Sequence, residues 1–166
     1  MLFENATGTE LVKCKELLQQ EYPKATPFKD EPSAMIVPRP YLDEFTAFLE
    51  MNKSRLDIAI YSTGTATYIG TALASVCPWM IGKARFIWDI THCRDLDGVI
   101  LKDVDHISHK HNYSPNHIRI LDDSDVVVPE KNRIPVEPFV ATDFSTARND
   151  NELLRIIDVI ERFMLG

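Results

Sequence analysis

The chain has 166 residues, enough for one domain, 1–166, with a genuine core. Apolar residues make up 45% and charged residues 26%, ordinary values for a globular protein, and the formal net charge of −7 argues against broad attachment to nucleic acid or anionic lipid. Cys14, Cys77 and Cys93 form neither a CxxC pair nor a disulfide framework, and no apolar run is long enough to span a bilayer.

Neither a secretory h-region nor an Arg-rich presequence stands at the start of the sequence. The expectation is an intracellular, reducing compartment, with cytoplasm, nucleus and mitochondrial matrix all open.

Met1 to Phe3 reads as a short strand and Asn5 to Thr9 as a turn. Glu10 to Glu21 has helical spacing, with Leu11, Leu17 and Leu18 as its apolar positions. Pro23 to Pro32 is a loop or hairpin, followed by the β-prone Met35-Ile36-Val37. Pro40 sits near the first turn of a helix that carries Tyr41, Leu42, Phe45, Phe48 and Leu49 on one face. Leu56 to Tyr61 is an apolar strand that ends at Ser62-Thr63-Gly64-Thr65. The next helix turns Tyr68, Ile69, Ala72, Leu73 and Val76 inward. Arg85 to Trp88, Gly98 to Leu101, Ile118 to Leu121 and Val136 to Val140 are further strand candidates. Glu152 to Leu165 is a strongly amphipathic helix, with Asn149 or Asp150 as its cap.

Strands that alternate with helices predict an α/β fold with a mainly parallel sheet covered on both faces. Right-handed crossovers then bring the strand tips to one edge, where ligands of such sheets sit. Three loops belong there: Asn5 to Thr9, Ser62 to Thr65, and Asp122 to Asp125. Asp122 and Asp123 suggest a hard cation such as Mg²⁺. Ser62 and Lys102 suit phosphate oxygens. Phosphoryl transfer through a carboxylate also needs an aspartate nucleophile and a neighbouring acid/base, and the first loop holds no aspartate.

Six segments carry a family resemblance. They are Arg39-Pro40-Tyr41-Leu42-Asp43-Glu44-Phe45, Ile60-Tyr61-Ser62-Thr63, Leu101-Lys102-Asp103, Leu121-Asp122-Asp123-Ser124, the stretch Pro129-Glu130-Lys131-Asn132-Arg133-Ile134-Pro135-Val136-Glu137-Pro138-Phe139, and Asn151-Glu152-Leu153-Leu154. In order and spacing they resemble the haloacid dehalogenase (HAD) superfamily. The branch they resemble is that of the RNA polymerase II C-terminal-domain phosphatases and NLI-interacting-factor-like proteins, which includes the phosphatase-like subunit of the mitochondrial import translocase. The resemblance implies a Rossmannoid three-layer sandwich with a central, mainly parallel sheet. The short distances between motifs leave no room for a large cap. It also implies phosphate binding by Ser62, Thr63 and Lys102, and a cation at Asp122 and Asp123.

The family's first loop is Asp-x-Asp-x-Thr. Aligning Gly8-Thr9 with its Gly-Thr puts Asn5 at the nucleophile position and Thr7 at the acid/base position. An amide is a poor nucleophile, and a threonine hydroxyl does not exchange protons near neutral pH as a carboxylic acid does. The resemblance therefore implies a catalytically inactive, phosphatase-like protein-binding or scaffold module, with Mg²⁺ held loosely if at all. A protein partner or multiprotein assembly follows; nothing points directly to nucleic acid or to a membrane span. The alternative is a Mg-dependent phosphoprotein phosphatase or divergent HAD hydrolase with a substitute nucleophile such as Glu4.

Other residues have plainer readings. His106, His109 and His111, with His117, His92 and Cys93 nearby, match no standard zinc spacing and read as a solvated loop. Cys93 reads as a buried structural thiol, and Trp79 and Trp88 as packing residues. Asn5-Ala6-Thr7 fits the N-glycosylation pattern by coincidence.

Overall fold

A computed structural model describes the backbone of residues 8–28 and 34–165, and side chains in those ranges from Val12 onward. The expected strand at Met1 to Phe3, the positions Asn5 and Thr7 with their glycosylation pattern, and the side chain of Leu11 lie outside the described residues.

In chain order the elements are α1 (Gly8–Glu21), β1 (Thr26–Pro27), β2 (Met35–Ile36), α2 (Leu42–Met51), β3 (Ile60–Tyr61), α3 (Ala66–Val76), α4 (Pro78–Lys83) and β4 (Ile87–Trp88). There follow β5 (Arg94–Leu96), β6 (Val99–Asp103), α5 (Val104–His111), β7 (Ile120–Asp122), β8 (Val127–Val128), β9 (Arg133–Pro135), α6 (Phe144–Ala147) and α7 (Glu152–Leu165). Among the described residues no helix is long and apolar enough to cross a membrane.

The chain divides into two compact units. The first takes the chain up to Ile58, Gly70–Ala84, and the chain from Phe139; the second takes Ala59–Ile69 and Arg85–Pro138.

In the first unit Leu18, Ala25, Met35 and Ala141 form a core, flanked by Tyr22, Val37, Phe139 and Phe144. Leu18 is buried, but Leu17 is 51% exposed. Adjacent helical residues point about 100° apart, so one of the pair must leave the core face. The Tyr22 hydroxyl donates to the Ala141 carbonyl at 3.0 Å, and its ring meets Phe139 edge-on at 6.2 Å. Of the two readings for the Pro-rich segment, loop or hairpin, β1 and β2 pair antiparallel with Thr26 opposite Ile36, while residues 29–33 lie outside the described residues.

Helix α2 buries Phe48 and Leu49 and packs against α7, which buries Ile156 and Ile160. Tyr41 does not join that face: it precedes the helix in the left-handed region (φ 61°) and is exposed. Tyr68 on α3 is likewise exposed, whereas Ile69 and Leu73 are buried as expected. Asp150 accepts the Glu152 N–H at 3.1 Å and so caps α7. Its carboxylate also takes Arg39, from Nε at 2.9 Å and from Nη2 at 2.7 Å. The Arg39 guanidinium lies 5.6 Å from the Phe139 ring centroid. Three separate sequence motifs thus meet in one buried structural latch.

In the second unit β3 pairs with β4, β6 with β8, and β7 with β9, all parallel; β5 and β6 form an antiparallel hairpin. Parallel pairing was expected. The described strands are short, however, and form separate ladders rather than one continuous sheet. The core is Trp88, Val104, Ile107, Ile118, Ile120 and Val127, with Tyr61, Phe86 and Tyr113 against it.

Several strand boundaries differ from expectation. The strand expected from Leu56 begins only at Ile60, because its partner β4 is itself just Ile87–Trp88; α4 was not among the expected elements. The strand expected from Ile118 begins at Ile120, because the Ile118 N–H is spent on the Pro115 carbonyl and its carbonyl on the buried Asn132 amide at 2.8 Å. The strand expected at Val136 to Val140 is absent, and β9 lies just before it. The Val136 N–H still reaches the Asp122 carbonyl at 3.1 Å, and then Pro138 has no N–H to extend the ladder.

Candidate functional site

Alternation along β7 decides how its tip presents charge. Ile120 and Asp122 face inward and Leu121 outward, so Asp122 is only 7% exposed while Asp123, the next residue, faces solvent. The two adjacent carboxylates therefore diverge. Lys102, on β6, is 8% exposed, and its Nζ donates to Asp122 Oδ2. Asp122 Oδ1 accepts the Ser124 N–H at 2.9 Å, and Asp123 accepts the Ser124 hydroxyl at 3.4 Å. Taken alone, Lys102 would read as an ordinary solvated lysine; buried pairing overturns that reading. A lysine this buried keeps its charge only beside a partner of opposite sign.

Ser62 ends β3. Its Oγ accepts the Gly64 N–H at 3.0 Å and its N–H donates to the Trp88 carbonyl at 2.9 Å, so it caps the strand end. A Cβ at Gly64 would lie 2.9 Å from the Tyr68 ring and 3.3 Å from Ser62 Oγ, so a larger residue there would push the exposed Tyr68 ring aside. Thr63 is exposed in the same turn. Among the described residues no hydrogen bond joins Ser62 to Lys102 or Asp122. Asn5 and Thr7 lie outside the described residues.

Two further residues support this region. The Tyr61 hydroxyl donates to the His92 carbonyl at 2.8 Å and accepts the Asp103 N–H at 3.4 Å. It thereby ties β3 to the residue after Lys102, and burial pushes its phenol up to about 12. The Cys93 thiol lies 3.7 Å from the Ser62 carbonyl and is raised chiefly by burial, which suits a structural thiol rather than a nucleophile. Tyr61 was part of a motif in the sequence, yet nothing local marked its hydroxyl as a cross-strand tie.

The histidines are solvated in part, as expected, with His106, His109 and His117 exposed, but the segment that carries most of them is a helix rather than a loop. His106, His109 and His111 lie on α5. His92, His106 and His111 stack around Trp88, with ring centroids at 5.1, 4.6 and 5.3 Å from it. Trp88 is buried, as a packing residue should be.

Among the described residues no three His, Cys, Asp or Glu side chains gather as a metal cage. At Asp122 a divalent cation would have to displace the Lys102 ammonium, and Asp123 points away from it. The described donors do not fit a resident Mg²⁺, which prefers a near-octahedral oxygen shell.

Comparison with curated proteins gives no match. A family model for NLI interacting factor-like phosphatases covers residues 9–164, nearly the whole chain, in a stretch that opens just after Asn5 and Thr7. This chain belongs to the NLI interacting factor-like phosphatase family.

Proposed function

We propose that this chain is a catalytically silent member of its family, working as a protein-binding or scaffold module within a larger assembly. The observation that carries the reading is that no aspartate stands in the Asn5 to Thr9 loop, and aligning Gly8-Thr9 with the family's Gly-Thr puts Asn5 and Thr7 at the two aspartate positions. Covalent phosphoryl transfer needs a charged nucleophile and a titratable neighbour, and an amide and an alcohol supply neither. The Lys102–Asp122 pair supports the same reading, since a cation at Asp122 would have to displace the Lys102 ammonium. The frame we propose is the capless, three-layer HAD-like sandwich. An open site of that kind suits a protein segment better than an enclosed metabolite. Ser62, Thr63 and Lys102 are the groups proposed to receive a phosphate on such a segment.

Family membership keeps a second reading in play: a Mg-dependent phosphoprotein phosphatase or divergent hydrolase. One assay separates the two. Hydrolysis of an aryl phosphate with Mg²⁺ is measured for the wild type and for an Asp122→Ala/Asp123→Ala control. We expect no difference between them. Turnover by the wild type well above the control overturns the proposal. The variant Asn5→Asp/Thr7→Asp then reports whether the remaining groups are competent when both acids return.

A further inference from the structure

We propose that the imidazole collar around Trp88 is an acid-sensitive latch: protonation of His111 opens the stack and releases the C-terminal end of α5 from β4. The inference is independent of whether the chain hydrolyses phosphate.

The geometry is a set of aromatic rings layered on one another. His111 lies flat on Phe86 at 4.3 Å with a 12° interplanar angle, and also contacts Trp88 at 5.3 Å and Tyr113 at 6.3 Å. His92 lies flat on Trp88 at 5.1 Å and 10°, and His106 tilts over it at 4.6 Å. Three imidazoles thus crowd one buried indole, and each new proton raises the repulsion among them.

The three rings differ in what would receive a proton's charge. His92 Nδ1 has the Asp89 carboxylate at 3.0 Å. His106 Nδ1 has the His92 carbonyl at 3.2 Å. His111 Nε2 is buried with no hydrogen-bond partner. In the neutral ring that atom can be a bare acceptor, which costs little; protonated, it becomes a charged donor with nothing to donate to. The charged groups facing it are Arg85 from the segment before β4, and Lys110 and His106 from α5. All three are cationic or become so in acid. Asp89, an acid bonded to the collar through His92, is already engaged by Thr91 and His92. A histidinium would gain some attraction from the Phe86 face. Burial and the three cations oppose it, and hold the His111 imidazole below its ordinary value of 6.5.

The sign follows. A depressed folded-state value means that the stack's contribution is fully present above the ordinary histidine value and lost as pH falls through the depressed one. Opening would reach further, because Trp88 also supports Tyr61 edge-on at 5.2 Å, and the Tyr61 hydroxyl holds the Asp103 N–H beside Lys102.

The test uses Trp88 as its own reporter. In a Trp79→Phe background, Trp88 emission is followed from about pH 8 to about pH 4.5, alongside far-UV circular dichroism. We expect an emission change with a midpoint below 6.5, ahead of the loss of helix, and its disappearance in His111→Phe. The same transition in His111→Phe overturns the proposal, as does emission that changes only with global unfolding. Should His111→Phe fail to fold, proton NMR of the wild-type histidines decides. A His111 midpoint below 6.5 that coincides with movement of the Trp88 indole N–H upholds the latch; a midpoint at or above 6.5, or an indole signal that does not move with it, overturns it.

Discussion

Among the described residues each unit has a basic side chain and an aspartate paired away from solvent, half-buried in the first unit and buried in the second, and the two pairs are built differently. In the first unit Arg39 grips Asp150 through two nitrogens at 2.9 and 2.7 Å, beneath it lies Phe139, and Asp150 also caps α7. In the second unit Lys102 meets Asp122 with a single ammonium, at the tip of a strand. A guanidinium fork fixes the angle between the elements it joins; an ammonium is a point charge that fixes only proximity. The first pair is integrated into several other contacts. The second is nearly self-contained, with the Ser124 N–H as the further partner of the Asp122 carboxylate. The lesson is that a like pairing of charges need not serve a like end: one pair organises several elements of the fold, while the other joins β6 to the end of β7.

The largest effect is expected from Arg39→Ala. It leaves the Asp150 carboxylate buried and unpaired, removes the contact over Phe139 and loosens the start of α7. A loss of about 3–5 kcal/mol is expected in urea unfolding. Arg39→Lys should recover only part of it, because the fork is gone. Full recovery by lysine would show that the pair supplies charge alone, and would erase the distinction drawn here.

Lys102→Met is expected to cost about 3 kcal/mol, since Asp122 then sits buried without a counter-charge. The double variant Lys102→Met/Asp122→Asn keeps an oxygen for the Ser124 N–H and should return to within about 1 kcal/mol of the wild type. No such rescue is expected for Arg39→Met/Asp150→Asn, whose partners extend to Phe139 and the helix cap. Equal rescue at both sites, read from paired unfolding curves, would break the comparison. Tyr61→Phe is smaller: it removes the hydroxyl that joins the His92 carbonyl to the Asp103 N–H, for about 1–2 kcal/mol.

What the sequence made legible follows from the range of each interaction. Helix α7 was readable to its ends, because its periodicity and its Asp150 cap are local. The strand expected at Gly98 to Leu101 is β6, shifted to Val99–Asp103, because Gly98 itself sits in the turn with a φ of 84° that favours glycine; its antiparallel partner β5 was not legible. Leu17 and Leu18 both fit a helical stripe, and only the tertiary core chose Leu18. The burial of Lys102 depends on Asp122, twenty residues away, and so no local pattern reveals it. Polarity marks the histidine segment as solvated, which holds for His106, His109 and His117; the stacking of His111 and His106 depends on Phe86 and Trp88, distant in sequence, and so is not legible locally. Likewise the start of β7 was misplaced, because Asn132 claims the Ile118 carbonyl from a distant turn.

An exposed pair supplies the lower end of the comparison. Lys24 meets Asp43 in the first unit, with side chains 69% and 73% exposed. Water solvates both groups nearly as well apart as together, and ordering two mobile side chains offsets most of the Coulomb gain. Lys24→Ala should therefore change unfolding stability by less than about 0.5 kcal/mol, and about 1 M salt should remove even that. The buried pairs should keep their mutational costs in the same salt, because ions do not reach between their partners. A salt-sensitive cost for Lys102→Met would mean that water already enters between Lys102 and Asp122, and the strand tip would then be an open site rather than a neutralised one.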